Sequence, residues 1–352
     1  MTTALTSGAA DLSGRPVAVS LTLPAPSTEL GSAGIFAVAT AGFAMCAALL
    51  AGCAPVGLSV AIVFLFAGPH NFFELRYFLS RVPSRLGPLR GFFLLAAGGL
   101  LCLFASHLCL TWLARQHIIE PAVSTLAYGG WNTLFILWAA GLVHNRSLQP
   151  PKRDWSLVWP AAFLCIGLNW LGPAWFGLAL IYAHPLVGLW MLDRELQRKP
   201  DWRKAYRLCL AALPLLIAVM WCQLARSTPI DAQDFTTWQI TNQAGAGLLT
   251  GISSHLLVST HAFLEMLHYG VWLVGIPLLT MGISGGRFKP IPAARRSIRW
   301  QGAVTGALAL SAFGVMILWA AFLTDYATTR DIYFLVAIAH VLAEIPFLLR
   351  AL

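Results

Sequence analysis

Apolar runs of about 20 residues follow one another through most of the chain, and short polar clusters separate them. This spacing limits the fold more than any other feature. At 1.5 Å of rise per residue, about 20 helical residues cross the roughly 30 Å hydrocarbon core of a bilayer. Inside that core the backbone must satisfy its own hydrogen bonds, so each run must be a helix. The candidate spans are 33–53, 55–75, 91–113, 122–143, 155–171, 173–192, 204–224, 250–279, 300–323 and 331–350. The expected fold is all-α, a polytopic integral membrane bundle of about ten transmembrane helices. The fifth run is short, and the eighth is long enough to tilt or to project beyond the lipid. Residues 1–31, rich in Ser, Thr, Gly, Ala and Pro, read as a flexible tail without signal-peptide order, and 32–352 as one transmembrane domain. No internal repeat and no water-soluble domain is visible.

Composition agrees. Of 352 residues, 58% are hydrophobic and 11% charged, with a mean hydropathy of +0.72; soluble domains carry about 25% charged residues. The seven cysteines (46, 53, 102, 109, 165, 209 and 222) form no CxxC pair and read as small apolar side chains.

The net charge of +9 could suggest nucleic acid, but its distribution argues for membrane orientation. Arg76, Arg81, Arg85 and Arg90 lie between spans two and three, and Arg146, Lys152 and Arg153 between four and five. Arg194, Arg198, Lys199, Arg203, Lys204 and Arg207 lie between six and seven. Arg287, Lys289, Arg295, Arg296 and Arg299 lie between eight and nine, and Arg350 closes the tenth. The alternate loops hold only Arg115, Arg226 and Arg330. Basic loops stay inside, so both termini are expected in the cytoplasm, in a bacterial inner (plasma) membrane. The polar stretch 225–248 is then external and could cap the outer mouth. The bilayer is the expected partner, and nucleic acid is not.

Ionisable groups within spans are costly and point to function by default. They gather on the even-numbered spans: His70 and Glu74 on the second, His184 on the sixth, His255, His261, Glu265 and His268 on the eighth, His340 and Glu344 on the tenth. At 100° per residue, His261, Glu265 and His268 share a stripe about 60° wide. His70/Glu74 and His340/Glu344 repeat the same His-x-x-x-Glu spacing. The even spans all run in one direction, so His70, His184, His261 and His340 are expected at similar depth.

Imidazole with carboxylate is the ligand chemistry of non-haem iron, manganese or zinc. "EMLH" is a Glu-x-x-His, the spacing of di-iron carboxylate bundles. So many buried His and Glu suit two ions better than one. The candidate ligands are His70, Glu74, His184, His261, Glu265, His268, His340 and Glu344. For His184, beside Pro185, a structural role stays equally open, because the Pro frees a backbone carbonyl. His255 lies about 120° off the stripe and is an outlying ligand or an orienting group. His107, His117 and His144 stand alone and read as structural. Arg76, Arg81 and Arg85 read as membrane anchors. No Ser/His/Asp order, Walker loop, dinucleotide fingerprint or HExxH is present.

"AGPHNFFE" around His70 resembles the Gly-x-Pro-His-Gly-type motif of the Brp/Blh family of membrane-embedded carotene dioxygenases. Asn71 stands where that family has Gly, and Glu74 stands one place beyond its usual Asp. "HAFLEMLHY" is similar to the family's later His-bearing spans, with different spacing. The resemblance covers one short motif and a style of site, on a chain two or three spans longer. It implies a non-haem iron oxygenase acting on a lipophilic molecule such as a carotenoid, isoprenoid or acyl chain. The same residues could instead serve a proton-coupled transporter or a haem- or quinone-binding protein.

Overall fold

A computed structural model describes residues 28–83, 85–149, 154–281 and 291–351, together with 9–10 and 16–17. The tail expected over 1–31 lies largely outside the described residues, as do Lys152, Arg153, Arg287 and Lys289. Apart from an antiparallel pairing of Ala9–Ala10 with Pro16–Val17, every regular element among them is helical. These are α1 (Thr28–Cys53), α2 (Pro55–Arg81), α3 (Arg90–Arg115), α4 (Pro121–Ser147), α5 (Val158–Leu171) and α6 (Pro173–Glu195). They continue as α7 (Pro200–Leu224), α8 (Phe235–Gln243), α9 (Ser254–Gly270), α10 (Ile276–Met281), α11 (Ile298–Thr324) and α12 (Tyr326–Ala351). Proline opens α2, α4, α6 and α7, where its missing N–H costs nothing. Side-chain oxygens of Asp234, Ser253 and Ser297 cap α8, α9 and α11.

Among the described residues, nine helices are long and apolar enough to cross a membrane. The fifth expected span falls short: α5 has 14 residues, about 21 Å of helix. It runs antiparallel to α4, with Trp159 near His144 and Asn169 near Gly129. Its turn into α6 is tied to α4 through Asn169 and Pro173, while Trp170 and Leu171 stay exposed. Two asparagines serve that turn: Asn132 Nδ2 donates to Asn169 Oδ1 (2.7 Å) and to the Pro173 carbonyl (3.1 Å), and Asn169 Nδ2 donates to the Gly129 carbonyl (2.9 Å).

At the centre stand α2, α6, α9 and α12, all parallel. Phe66 meets Tyr269 and Tyr77 meets Trp272 between α2 and α9. His70 meets His340 and Phe78 meets Phe347 between α2 and α12. Tyr182 meets His261 and His184 meets His268 between α6 and α9. The α9–α10 rod is the innermost span, with 61% of its apolar window buried; α11, at 6%, lies outside α2 and shows its face to the surroundings. One buried cluster joins α1, α2, α6, α7 and α9, and a second joins α3, α4, α5 and α12.

The two ends differ. Where α2, α6 and α12 finish, Arg81 pairs with Glu195, Arg350 donates to the Arg81 carbonyl, and Asp193 takes two bonds each from Arg203 and Arg207. At the opposite end α8 folds over the bundle, and Tyr182 Oη donates to the Ala244 carbonyl (2.9 Å). The stretch expected to cap one mouth does lie across one end. Arg330, expected in a loop, is instead inside α12, because the helix begins at Tyr326.

Candidate metal centre

The four parallel helices bring His70, His184, His268 and His340 into one packed group. Their ring centroids lie 4.4 Å (His184–His268), 4.9 Å (His184–His340), 5.2 Å (His70–His340) and 5.5 Å (His70–His268) apart. Glu74 and Glu344 join them, and each is a turn beyond a histidine on its own helix. Two trios could each hold an ion: His70, Glu74 and His340, and His184, His268 and Glu344, with ligand atoms in each mutually within 4.8 Å. The trios touch, because His340 Nε2 lies 3.1 Å from His184 Nε2. The carboxyls of Glu74 and Glu344 also face one another.

Local structure builds this arrangement. His70 Nδ1 faces the Phe66 carbonyl one turn back at 3.3 Å. That bond places the ring hydrogen on Nδ1 and leaves Nε2 as a free base, 4.0 Å from Glu74 Oε2. His184 Nδ1 lies 2.9 Å from Glu344 Oε2. Pro69 and Pro185 sit inside α2 and α6, each beside a histidine, and each removes one backbone bond there. Gly188 makes room for His268: a Cβ at that position would stand 2.8 Å from His268 Nδ1. Three residues after His268, a π turn begins over Val271–Gly275. Such turns often accompany functional sites.

The donors fit a metal ion. Among the described residues, His70 Nε2, both oxygens of Glu74, both ring nitrogens of His268, His340 Nδ1 and Glu344 Oε1 are buried without a hydrogen-bond partner. At about 1–3 kcal/mol for each orphaned polar atom, the sum rivals the whole stability of an ordinary domain, roughly 5–15 kcal/mol. Cations among them would turn that penalty into ligand bonds. Neutral imidazole with carboxylate oxygen suits iron, manganese or zinc rather than a thiolate-seeking ion.

His261 and Glu265 belong to neither trio. They pair with each other, Nδ1 to Oε2 at 3.5 Å. His261 stands seven residues, about 10 Å of helix, before His268. The sequence places His261 at the depth of His70, but the structure puts His268 there. The apolar run begins at 250, but α9 begins only at Ser254, four residues later, and its packing against α2 and α6 sets His268 beside His70 and His184. His255 lies a further turn and a half away and does not border the cavity described next.

A cavity of about 430 Å³ opens from the cluster. His70, His184, His268 and His340 form one end with His261 and Glu265, and Leu180, Ile181, Phe334, Ile338, Phe176 and Trp131 form apolar walls toward α4. His107 and Tyr128 border it as well. His107 reads from sequence as a lone structural histidine; its one local signal is Thr111 on the same face, which meets Tyr128 Oη at 3.0 Å. Tyr269, with its ring 4.6 Å from His70, and Tyr333, bonded by Asn71, also flank the site. As aromatic residues of apolar runs, they carry no separate sequence signal. No known protein-family model, curated protein or solved structure matches the chain.

Proposed function

We propose that the chain is an integral membrane non-haem metalloenzyme, an iron-dependent oxygenase or oxidase acting on a lipophilic substrate such as a carotenoid, isoprenoid or acyl chain. One observation carries this reading: four histidines and two glutamates from four helices converge at the end of an apolar cavity. His70, Glu74 and His340 would hold one ion and His184, His268 and Glu344 a second; manganese and zinc share this ligand chemistry. Iron there would supply the capacity to activate dioxygen. The chain's own residues do the rest. Leu180, Ile181, Phe334 and Ile338 seat an apolar substrate and exclude water, and the His261/Glu265 pair offers a proton acceptor facing the cavity. The end rich in Arg and Lys is assigned to the cytoplasm, with both termini on that side of the plasma membrane.

The test is elemental analysis of detergent-purified protein beside its visible spectrum. Near two irons per chain without a Soret band, and loss of iron in Glu344→Gln, are expected. Absence of any transition metal from chelator-free preparations would overturn the reading. Imidazoles packed at 4.4–5.5 Å leave no slab for a porphyrin between them, which favours ions over haem.

A proton-coupled transporter is the second reading. Arg330, Glu265, His261 and His268 form a ladder of ionisable groups from the α8 end toward the cluster. Proton-driven uptake into vesicles by metal-free protein would favour it.

A further inference from the structure

A second cavity, about 600 Å³, lies under α8 between α6 and α12. It shares Ile181, Gln243 and Phe334 as walls with the cavity of the histidine cluster. Its polar lining is basic and amide: Arg330, Arg115, Gln239, Asn242 and Gln243. The one acid there, Asp331, is held by both guanidinium nitrogens of Arg115, at 2.6 and 2.9 Å.

Arg330 is the unusual member. It is 3% exposed, yet among the described residues no carboxylate comes within 4.0 Å of it. One nitrogen donates to Gln243 Oε1 at 2.5 Å, the guanidinium carbon stands 4.6 Å over the Phe334 ring, and Nε is buried without a partner. A buried guanidinium with a spare donor, in a chamber where the one acid among the described lining residues is paired with Arg115, is a seat for an anion. From Arg330, α12 runs ten residues, about 15 Å, to His340, and Phe334 and Ile338 line the way.

Resting on the reading above that the cavity takes a lipophilic molecule, we propose that its ligand is a single-chain amphiphile with an anionic head. A carboxylate or a phosphate monoester binds at Arg330, and the apolar chain passes Phe334 and Ile338 to reach the histidines. The segment beside the cluster is then remote from the head group.

The experiment is displacement of tritiated palmitate from detergent-purified full-length protein by unlabelled palmitate, methyl palmitate and hexadecyl phosphate, with metal content measured on the same samples. Palmitate should compete on the order of tenfold or more better than its methyl ester, as expected when a charge-assisted bond is lost. Arg330→Gln should abolish that preference without changing ester affinity, and Arg330→Lys should retain part of it. Stronger competition by hexadecyl phosphate would identify phosphate as the natural head group. Equal competition by palmitate and its ester in the wild type, or no bound palmitate, overturns the proposal even if Arg330→Gln fails to fold. Iron retained without head-group preference sinks this inference alone; preference without any metal sinks the enzymatic reading alone.

Discussion

At the scale of single residues, the proposed centre depends on buried atoms left without a partner, such as Glu344 Oε1 and both ring nitrogens of His268. Glu344→Gln keeps shape and volume but removes a charge, so the trio of His184, His268 and Glu344 should lose its ion. Metal content should fall by about half or more, measured by elemental analysis at unchanged expression. Gly188→Ala tests the geometry from the opposite side, because it touches no ligand chemistry. Its methyl would enter the space of His268 Nδ1, displace the ring and lower metal content in the same way. The overpacking should cost about 1–3 kcal/mol, read as a lower melting temperature in detergent.

At the scale of elements, the short α5 is the informative helix. Two buried asparagines tie its turn into α6 to α4: Asn132 on α4 donates to the Pro173 carbonyl, and Asn169 on α5 donates to the Gly129 carbonyl of α4. Asn169→Leu should therefore destabilise the protein by about 1–3 kcal/mol through orphaned polar groups. The variant should unfold at lower temperature while the proposed metal sites, built on other residues, keep whatever metal the wild type binds at low temperature. The sequence shows α5 as a marginal apolar run but gives no sign that two asparagines, 37 positions apart, replace water for it. Likewise, the His261–Glu265–His268 stripe on α9 is legible from 3.6-residue periodicity. Its division is not: the packing of α9 against α2, α6 and α12 sends His268 to the cluster and leaves His261 in a separate pair with Glu265.

At the scale of the whole molecule, the proposed metal binding and folding are linked. Ions bound by the native state alone add about 3–4 kcal/mol when present at 100–1,000 times their dissociation constant. Chelation should therefore lower the melting temperature of the wild type clearly and that of Glu344→Gln much less, followed by differential scanning fluorimetry. Orientation is testable independently. A periplasm-dependent alkaline phosphatase fused after Leu352 should be inactive, and one inserted at 227–233 active. The opposite result would reverse the assignment of the basic end.

The amino-acid sequence by itself determined an all-helical chain with helices long and apolar enough to cross a membrane, the separation of basic from non-basic ends, and the helices that carry histidine and glutamate. Each of these follows from patterns within one segment: hydropathy over about 20 residues, loop charge, and i, i+4 spacing. The tertiary structure alone decided which of those groups meet. Joining His70 on α2 to His184 on α6, His268 on α9 and His340 on α12 depends on helix order, rotation and depth, and those are set by packing between segments far apart in the chain. Arg330 shows the same limit. Its position in sequence suggests a loop charge, and only the packing of α12 against α8 buries it in the wall of the second cavity.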